Sequence, residues 1–228
     1  MARQERAVRT RRKILLAAAG LFDEVGYEAA TIAEVLRRCG VTKGALYFHF
    51  SSKEELAQEV LAWQAALFPS VPPRPLLLQT LIDEALVLAH LLGTGDPLTC
   101  GSVRLVVDQG SPHDGLDRRA PMRAWIDRVA DLFTRARTAG ELLPHVDVPA
   151  TAHLLAASFT GVQVFSKVMT GHADMVERVS DLLRTTMGSV AVPGVLVRLD
   201  FSPSRARPAH EEALWAVGVW PMSPDIPA

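Results

Sequence analysis

The sequence predicts an all-α protein with a small helical head and a larger helical body. Three observations predict it. Alanine, leucine and valine dominate a chain that is 49% hydrophobic but only 6% aromatic, a balance that favours helices over strands. Apolar residues recur at three- and four-residue steps along almost the whole length, the period of an amphipathic helix. Glycines, prolines and Ser/Thr-x-x-Glu pairs interrupt that pattern at short intervals, stopping one helix and opening the next. No run alternates as a strand would, and no internal repeat is visible.

Charge divides the chain unevenly. Residues 1–53 carry ten Lys+Arg against five Asp+Glu, and the other 175 carry 14 against 20. A basic head on an acidic body suggests that the head meets a polyanion and the body does not.

Residues 3–13 open the head as a basic arm: Arg3, Arg6, Arg9, Arg11, Arg12 and Lys13. A flexible cationic segment of this kind suits contact with phosphates or a minor groove. Ile14, Ala18, Leu21, Phe22 and Val25 then mark one face of a helix, and Gly26 stands where a left-handed residue ends one. The next helix starts at "TIAE", where Thr31 and Glu34 form a capping box. Its apolar face is Ile32, Val35, Leu36 and Cys39, and Gly40 closes it. Thr42 caps a third, very short helix, Lys43 to Phe48, and Ser52 with Glu55 opens a fourth. "PSVPPRP" (69–75) ends that one, since prolines cannot continue a helix.

In the body, helices are expected over 76–92, 98–107, 122–138, the long apolar run after Pro149, and 175–187, with a short apolar segment at 194–199. Residues 110–121 read as a polar loop, and the Pro-rich tail beyond 201 as disordered. The run 148–166 has no Asp, Glu, Lys or Arg and could span a bilayer by length. His153, Gln163, its hydroxyl residues and a proline near its start favour a helix buried inside protein, so no membrane is expected. No signal sequence precedes the first helix, and Cys39 and Cys100, with no CxxC spacing, read as core thiols, so a cytoplasmic location is expected.

A helix, a glycine turn and a second short helix make the layout of a helix-turn-helix. In that motif the second helix enters the major groove. Val41, Ala45, Leu46 and Phe50 would pin it, and Gly44 would let backbone approach DNA closely. Lys43 can donate to guanine or to a phosphate, and Tyr47 and His49 to phosphate oxygens. Thr42 and Lys53 add donors at helix starts, where the dipole favours an anion. A solvated turn between core helices would have the same spacing; the basic arm tips the reading toward DNA.

The stretch "TRRKILLAAAGLFDEVGYEAATIAEVLRRCGVTKGALYFHFSSKEEL" resembles the N-terminal domain of TetR-family transcriptional repressors throughout. "MARQERA", "VTKGALYFHF", "GLDRRAP" followed by Trp125, "GELLPHVD" and "FTGVQVFS" extend the resemblance to the γ-butyrolactone autoregulator receptors of Streptomyces, over roughly residues 1–200. It implies an all-α homodimer. Residues 1–53 are then the DNA-binding domain and 54–200 a ligand-binding and dimerisation domain whose last two long helices form the dimer interface; the tail, 201–228, lies outside the resemblance. Thr42, Lys43, Gly44, Tyr47, His49 and Lys53 match positions that touch operator DNA. Gln64, Trp125 and Thr160 match the polar set of the ligand pocket.

From the residues alone, Leu88, Val106, Phe133, Val162 and Phe165 could wall a pocket for a small apolar ligand, as they could an ordinary core. Trp125 taken singly reads as a core aromatic, and Thr160 as a hydroxyl bonded back into its own helix. Gln64 is an inward amide that needs a partner. The implied function is repression relieved by a γ-butyrolactone or butenolide, in control of antibiotic-production genes; the alternative is an antibiotic or another apolar effector. No Ser–His–Asp spacing, GxGxxG, GxxxxGK[ST] or HExxH points to an enzyme or cofactor, and His90, His113, His145, His153 and His172 are too scattered for a metal.

Overall fold

A computed structural model describes residues 2–66, 71–108 and 114–216, without the side chains of residues 2, 3 and 64–66. Eleven α-helices run through these residues: α1 (Ala2–Ala29), α2 (Ile32–Cys39), α3 (Lys43–His49), α4 (Lys53–Ala66), α5 (Leu77–Gly93), α6 (Pro97–Val107), α7 (Arg119–Thr138), α8 (Val148–Thr170), α9 (Met175–Val190), α10 (Pro193–Leu196) and α11 (Ala206–Ala216). The all-α expectation holds. The side chain of Gln64, His113 in the 110–121 loop, and the tail beyond residue 216 fall outside the description.

The chain forms two compact units, Met1–Leu67 with Gly95–Ala124, and Phe68–Thr94 with Trp125–Ala228. The first therefore extends past the boundary expected at residue 53, taking in α4 and α6. Its core joins Ile14, Ala18, Leu21 and Phe22 of α1 to Val35, Cys39, Leu46, Phe50, Leu56, Val60 and Leu61, with Leu98 and Leu105 supplied by α6. The anticipated helix break is at Gly26, where φ is 75°. A side chain there would meet the Asp108 carboxylate, which accepts from the Tyr27 amide at 3.3 Å. Thr31, Thr42 and Ser52 accept from the backbone of the third residue on, as N-caps do. The reciprocal halves of both capping boxes differ. Glu34 turns to Arg37 and Arg38, and Glu55 reaches back one residue further, to the Ser51 amide and hydroxyl.

In the second unit α5 is buried along almost its whole length, and charged residues lie at its centre. The Asp83 carboxylate, fully buried, accepts from Gln79, Arg74 and both Nε and an Nη of Arg205 at 2.7–2.9 Å. Glu84 is buried against Arg128; desolvation pushes its carboxyl up, and the guanidinium opposes that.

Arg205 lies in the segment expected to be disordered. That expectation fails for residues 202–216. Phe201 is buried, its carbonyl accepts from Ser180 at 2.6 Å, and Asp200 exchanges two hydrogen bonds with Gln79. α11 then packs Ala209 and Ala213 on Val71 and Val87. Its apolar stripe is alanine, so the periodic signal is faint, and Pro208 sits in its first turn, where no amide is needed. Arg205→Ala is expected to cost about 2–3 kcal/mol, because it strips a buried carboxylate of two bonds while Arg74 remains. Arg207→Ala, which removes only an exposed pair with Glu211, should cost under about 0.5 kcal/mol. Thermal midpoints of the two variants check this; equal midpoints would show that the folded-back segment does not clamp α5.

The long apolar helix is also not simply interior, since only 33% of its most apolar stretch is buried. One face of α8 (Leu155, Ala156, Phe159, Gln163, Ser166) packs inward. The other presents Leu154, Val164, Phe165, Val168 and Met169 to the outside.

Candidate nucleic-acid interface and ligand pocket

α3 is fixed from below and open from above. Leu46 and Phe50 are buried in the core of the first unit, and the Arg11 guanidinium lies 4.9 Å from the Phe50 ring centre. The opposite side shows Lys43, Gly44, Tyr47 and Phe48, one stripe at helical spacing. Lys43 Nζ lies 5.9 Å from the Tyr47 ring centre, so the ammonium stands over an aromatic face and still projects outward. A Cβ built on Gly44 meets nothing within 4 Å, so packing inside the protein does not require glycine there. Thr42 accepts from the Ala45 amide at 3.2 Å, which leaves its hydroxyl proton for an acceptor outside. His49 is half-buried at the end of the helix, its ring edge-on to Phe48 at 5.0 Å.

Lys53 departs from its expected place. Its ammonium donates to the carbonyls of Tyr27 at 2.9 Å and Ala30 at 3.2 Å and lies 4.2 Å from the Tyr27 ring centre. It ties the start of α4 to the end of α1, so its first role is to hold the head together. Phe48 was missed from the sequence because an apolar residue in a short helix reads as core. It is 79% exposed, on the outward stripe.

The basic excess of the head is partly spent internally. Arg38 pairs with Glu24 and Glu34, Arg37 with Glu34, and Arg11 with Glu59. The two arginines pull the Glu34 carboxyl down to about 2. Arg6, Arg9 and Lys13 instead line an open cleft, and the anticipated arm that carries them is helical, continuous with α1.

The residues expected at the ligand divide between the units. Leu88, Trp125, Phe133, Thr160 and Val162 belong to the second unit, Gln64 and Val106 to the first. Trp125 is 5% exposed and meets Phe159 edge-on at 5.7 Å; Leu88 and Phe133 are buried. The Thr160 hydroxyl donates to the Ala156 carbonyl at 2.9 Å, the bond back into its own helix that the residue alone suggests. Val106 packs on the core of the head. Phe165 stands on the exposed stripe of α8 under the Arg178 guanidinium, 52% exposed, and walls no interior in this chain. It is apolar like Leu88 and Val162, but Gln163 and Ser166 take the inward face of this turn of α8 and leave Phe165 outward.

Comparison with known proteins follows the same outline. The family described as bacterial regulatory proteins, tetR family, matches residues 14–60, which span most of α1 through most of α4. The A-factor receptor protein of Streptomyces griseus is 39% identical over 202 residues, covering 87% of this chain and 70% of that protein. The crystal structure of full-length TylP, a TetR regulator from Streptomyces fradiae, superposes with a TM-score of 0.86 at 60% identity, covering 92% of this chain and 99% of that one. A crystal structure of a γ-butyrolactone receptor (ArpA-like protein) gives a TM-score of 0.66 at 26% identity, covering 90% and 99%.

Proposed function

Because this chain belongs to the TetR family of bacterial regulators, we propose that it is a cytoplasmic repressor of antibiotic-production genes, released from operator DNA by a γ-butyrolactone or butenolide. The observation that carries the DNA half is the outward stripe of α3, cationic and aromatic, on a helix pinned from behind. Lys43 donates to a guanine edge in the major groove, Thr42, Tyr47 and His49 to phosphates, and Gly44 lets the helix axis come close. Phe48 supplies apolar surface of the kind that suits a thymine methyl.

Operator reading needs two copies. Val164, Phe165, Val168 and Met169 cluster at three- and four-residue spacings on the open face of α8, with Leu154 nearer its start, and such a face is suited to a second α8. Covering what remains exposed gains up to roughly 1–2 kcal/mol for each of these side chains. A homodimer built there sets its two α3 helices about 34–36 Å apart, one turn of a partly palindromic site.

The ligand half rests on the relatives, two of which are by name receptors, and on the buried aromatic pair of Trp125 and Phe159 in the second unit. Leu88, Phe133 and Val162 supply apolar wall, and Thr160 a hydroxyl. Ligand and operator then oppose each other reciprocally, and a coupling of about 1–3 kcal/mol alters operator affinity roughly 5–150-fold. The alternative effector is an antibiotic or another apolar small molecule, which the same greasy wall would accept.

Trp125→Phe retains an aromatic against Phe159 but loses the indole N–H. It should bind operator as the parent does, yet need more lactone for release, because the smaller ring removes part of the apolar wall against the ligand. Mobility-shift titrations with a γ-butyrolactone series measure this. Release of the variant at parental concentrations would move the pocket away from Trp125. Failure of every lactone to release the parent, while an antibiotic does so, would replace the effector.

A further inference from the structure

We propose that the cleft between the first turns of α1 and the α2–α3 turn is a phosphate groove that grips the DNA backbone without reading bases. It has a volume of about 450 Å³ and is lined by Glu5, Arg6, Arg9, Thr10, Lys13 and Val41. The proposal deepens the operator reading above and rests on it for the nature of the polyanion.

The location comes from Val41, which directly precedes the N-cap of α3 and forms one wall. Whatever lies against the start of α3 also lies along this cleft. The other wall is cationic and rigid. Arg6, Arg9 and Lys13 follow at three- and four-residue steps on a continuous helix, so they share one face and span about 10 Å of its axis. One DNA strand presents a phosphate about every 3.4 Å of axis, a comparable density of opposite charge. No ion pair among the described residues engages these three, whereas Arg11, Arg37 and Arg38 are held by carboxylates and Lys53 by carbonyls. The Thr10 hydroxyl adds a donor of the kind that meets phosphate oxygens. A minor-groove reader needs an extended arm that can follow the narrow groove; a helix with a side-chain diameter of about 10–12 Å cannot enter one about 6 Å wide. Glu5 is the dissonant member. Its carboxylate on the same cleft opposes any anion, which restrains affinity for DNA of every sequence.

The test uses the full chain and two labelled duplexes of equal length, one from its own upstream region and one unrelated, followed by fluorescence anisotropy at several KCl concentrations. Arg9→Ala/Lys13→Ala should weaken binding to both duplexes by the same factor. The slope of log affinity against log salt should flatten by about 3.6 for a dimer, four lost contacts at about 0.9 each. Glu5→Gln should tighten both. All three residues are exposed, so the thermal midpoint serves to verify that the fold is intact. A loss confined to the upstream duplex with the slope unchanged would overturn the proposal in favour of base reading, and unchanged affinity on both duplexes would remove the cleft from the interface. If the parent chain does not prefer its upstream duplex at all, the operator reading fails, while the salt slope on the unrelated duplex still decides the groove.

Discussion

Gly101→Ala should lower the thermal midpoint by roughly 6–12 °C, while Gly20→Ala, another helical glycine in the same unit, should raise it slightly. The two positions differ in what a methyl group meets. At Gly20 nothing lies within 4 Å, so alanine only restricts the unfolded chain and improves helix propensity, a gain of roughly 0.5–1 kcal/mol. At Gly101 the new Cβ would lie 2.3 Å from the Ala19 carbonyl oxygen and 2.8 Å from its carbon. Those are backbone atoms of a buried turn of α1, with no rotamer to change. α6 and α1 must separate by roughly 1 Å for ordinary contact, which loosens the interdigitated side chains on both sides. The expected cost is about 3 kcal/mol, the upper end for overpacking, and each kcal/mol moves the midpoint of a chain this size by about 2–4 °C. Scanning calorimetry on the pair is the measurement. Equal midpoints would mean that α6 does not press on α1 as closely as these distances require.

That close approach also bears on how the head is held. α6 ends at Asp108, which accepts from the Tyr27 amide, and Lys53 at the start of α4 binds the carbonyls of Tyr27 and Ala30. The end of α1 is thus gripped by two other helices of its unit. This is why the compact unit continues past residue 53: the three helices of the head do not close their own core, and α4 and α6 supply Leu56, Val60, Leu61, Leu98 and Leu105 to it.

Much of this was legible in the sequence where local chemistry decides. Caps at Thr31, Thr42 and Ser52, stops at Gly26 and Gly40, and the helix-turn-helix spacing all depend on residues within four positions of each other. What failed depended on long-range partners. Gly101 gave no local signal, because its significance is the Ala19 backbone 82 positions away in sequence. Lys53 at a helix start looks the same whether its ammonium meets a phosphate or the carbonyls at the end of α1. The segment 202–216 has proline and alanine in place of a strong apolar period, and the buried Asp83 that receives Arg205 is 122 residues earlier. Phe165 was assigned by the rule that large apolar side chains turn inward, and Phe48 was given no role; both stand exposed, where local sequence carries no sign of which face is open.

Lys43→Ala should cost operator affinity a factor between about 30 and 10⁴, with no loss of stability. A bidentate contact to guanine discriminates by about 1–3 kcal/mol, and a homodimer loses it in both half-sites, so about 2–6 kcal/mol disappears from one binding event. The side chain is exposed and its nearest ring, Tyr47, is also exposed, so the fold should not register the change. Gly44→Ala separates packing from recognition more sharply. Its Cβ is unopposed within the protein and it lies in the helix, so the variant should unfold at the same temperature or higher. On the proposed operator reading the same methyl stands on the stripe that meets the groove, between Lys43 and Phe48, and would push the helix away from the base edges. Operator binding should therefore weaken while the midpoint rises, two effects of opposite sign from one carbon atom. Base-by-base substitution of the operator then distinguishes the roles of Lys43. If it reads guanine, Lys43→Ala flattens the preference at one position per half-site and leaves the others intact. If it meets a phosphate, all sequences weaken alike and the salt slope falls by about 0.9 per subunit. A Gly44→Ala protein that binds its operator as tightly as the parent would place α3 too far from the duplex for any of these contacts, and Lys43 would then have to act from a different face of the head.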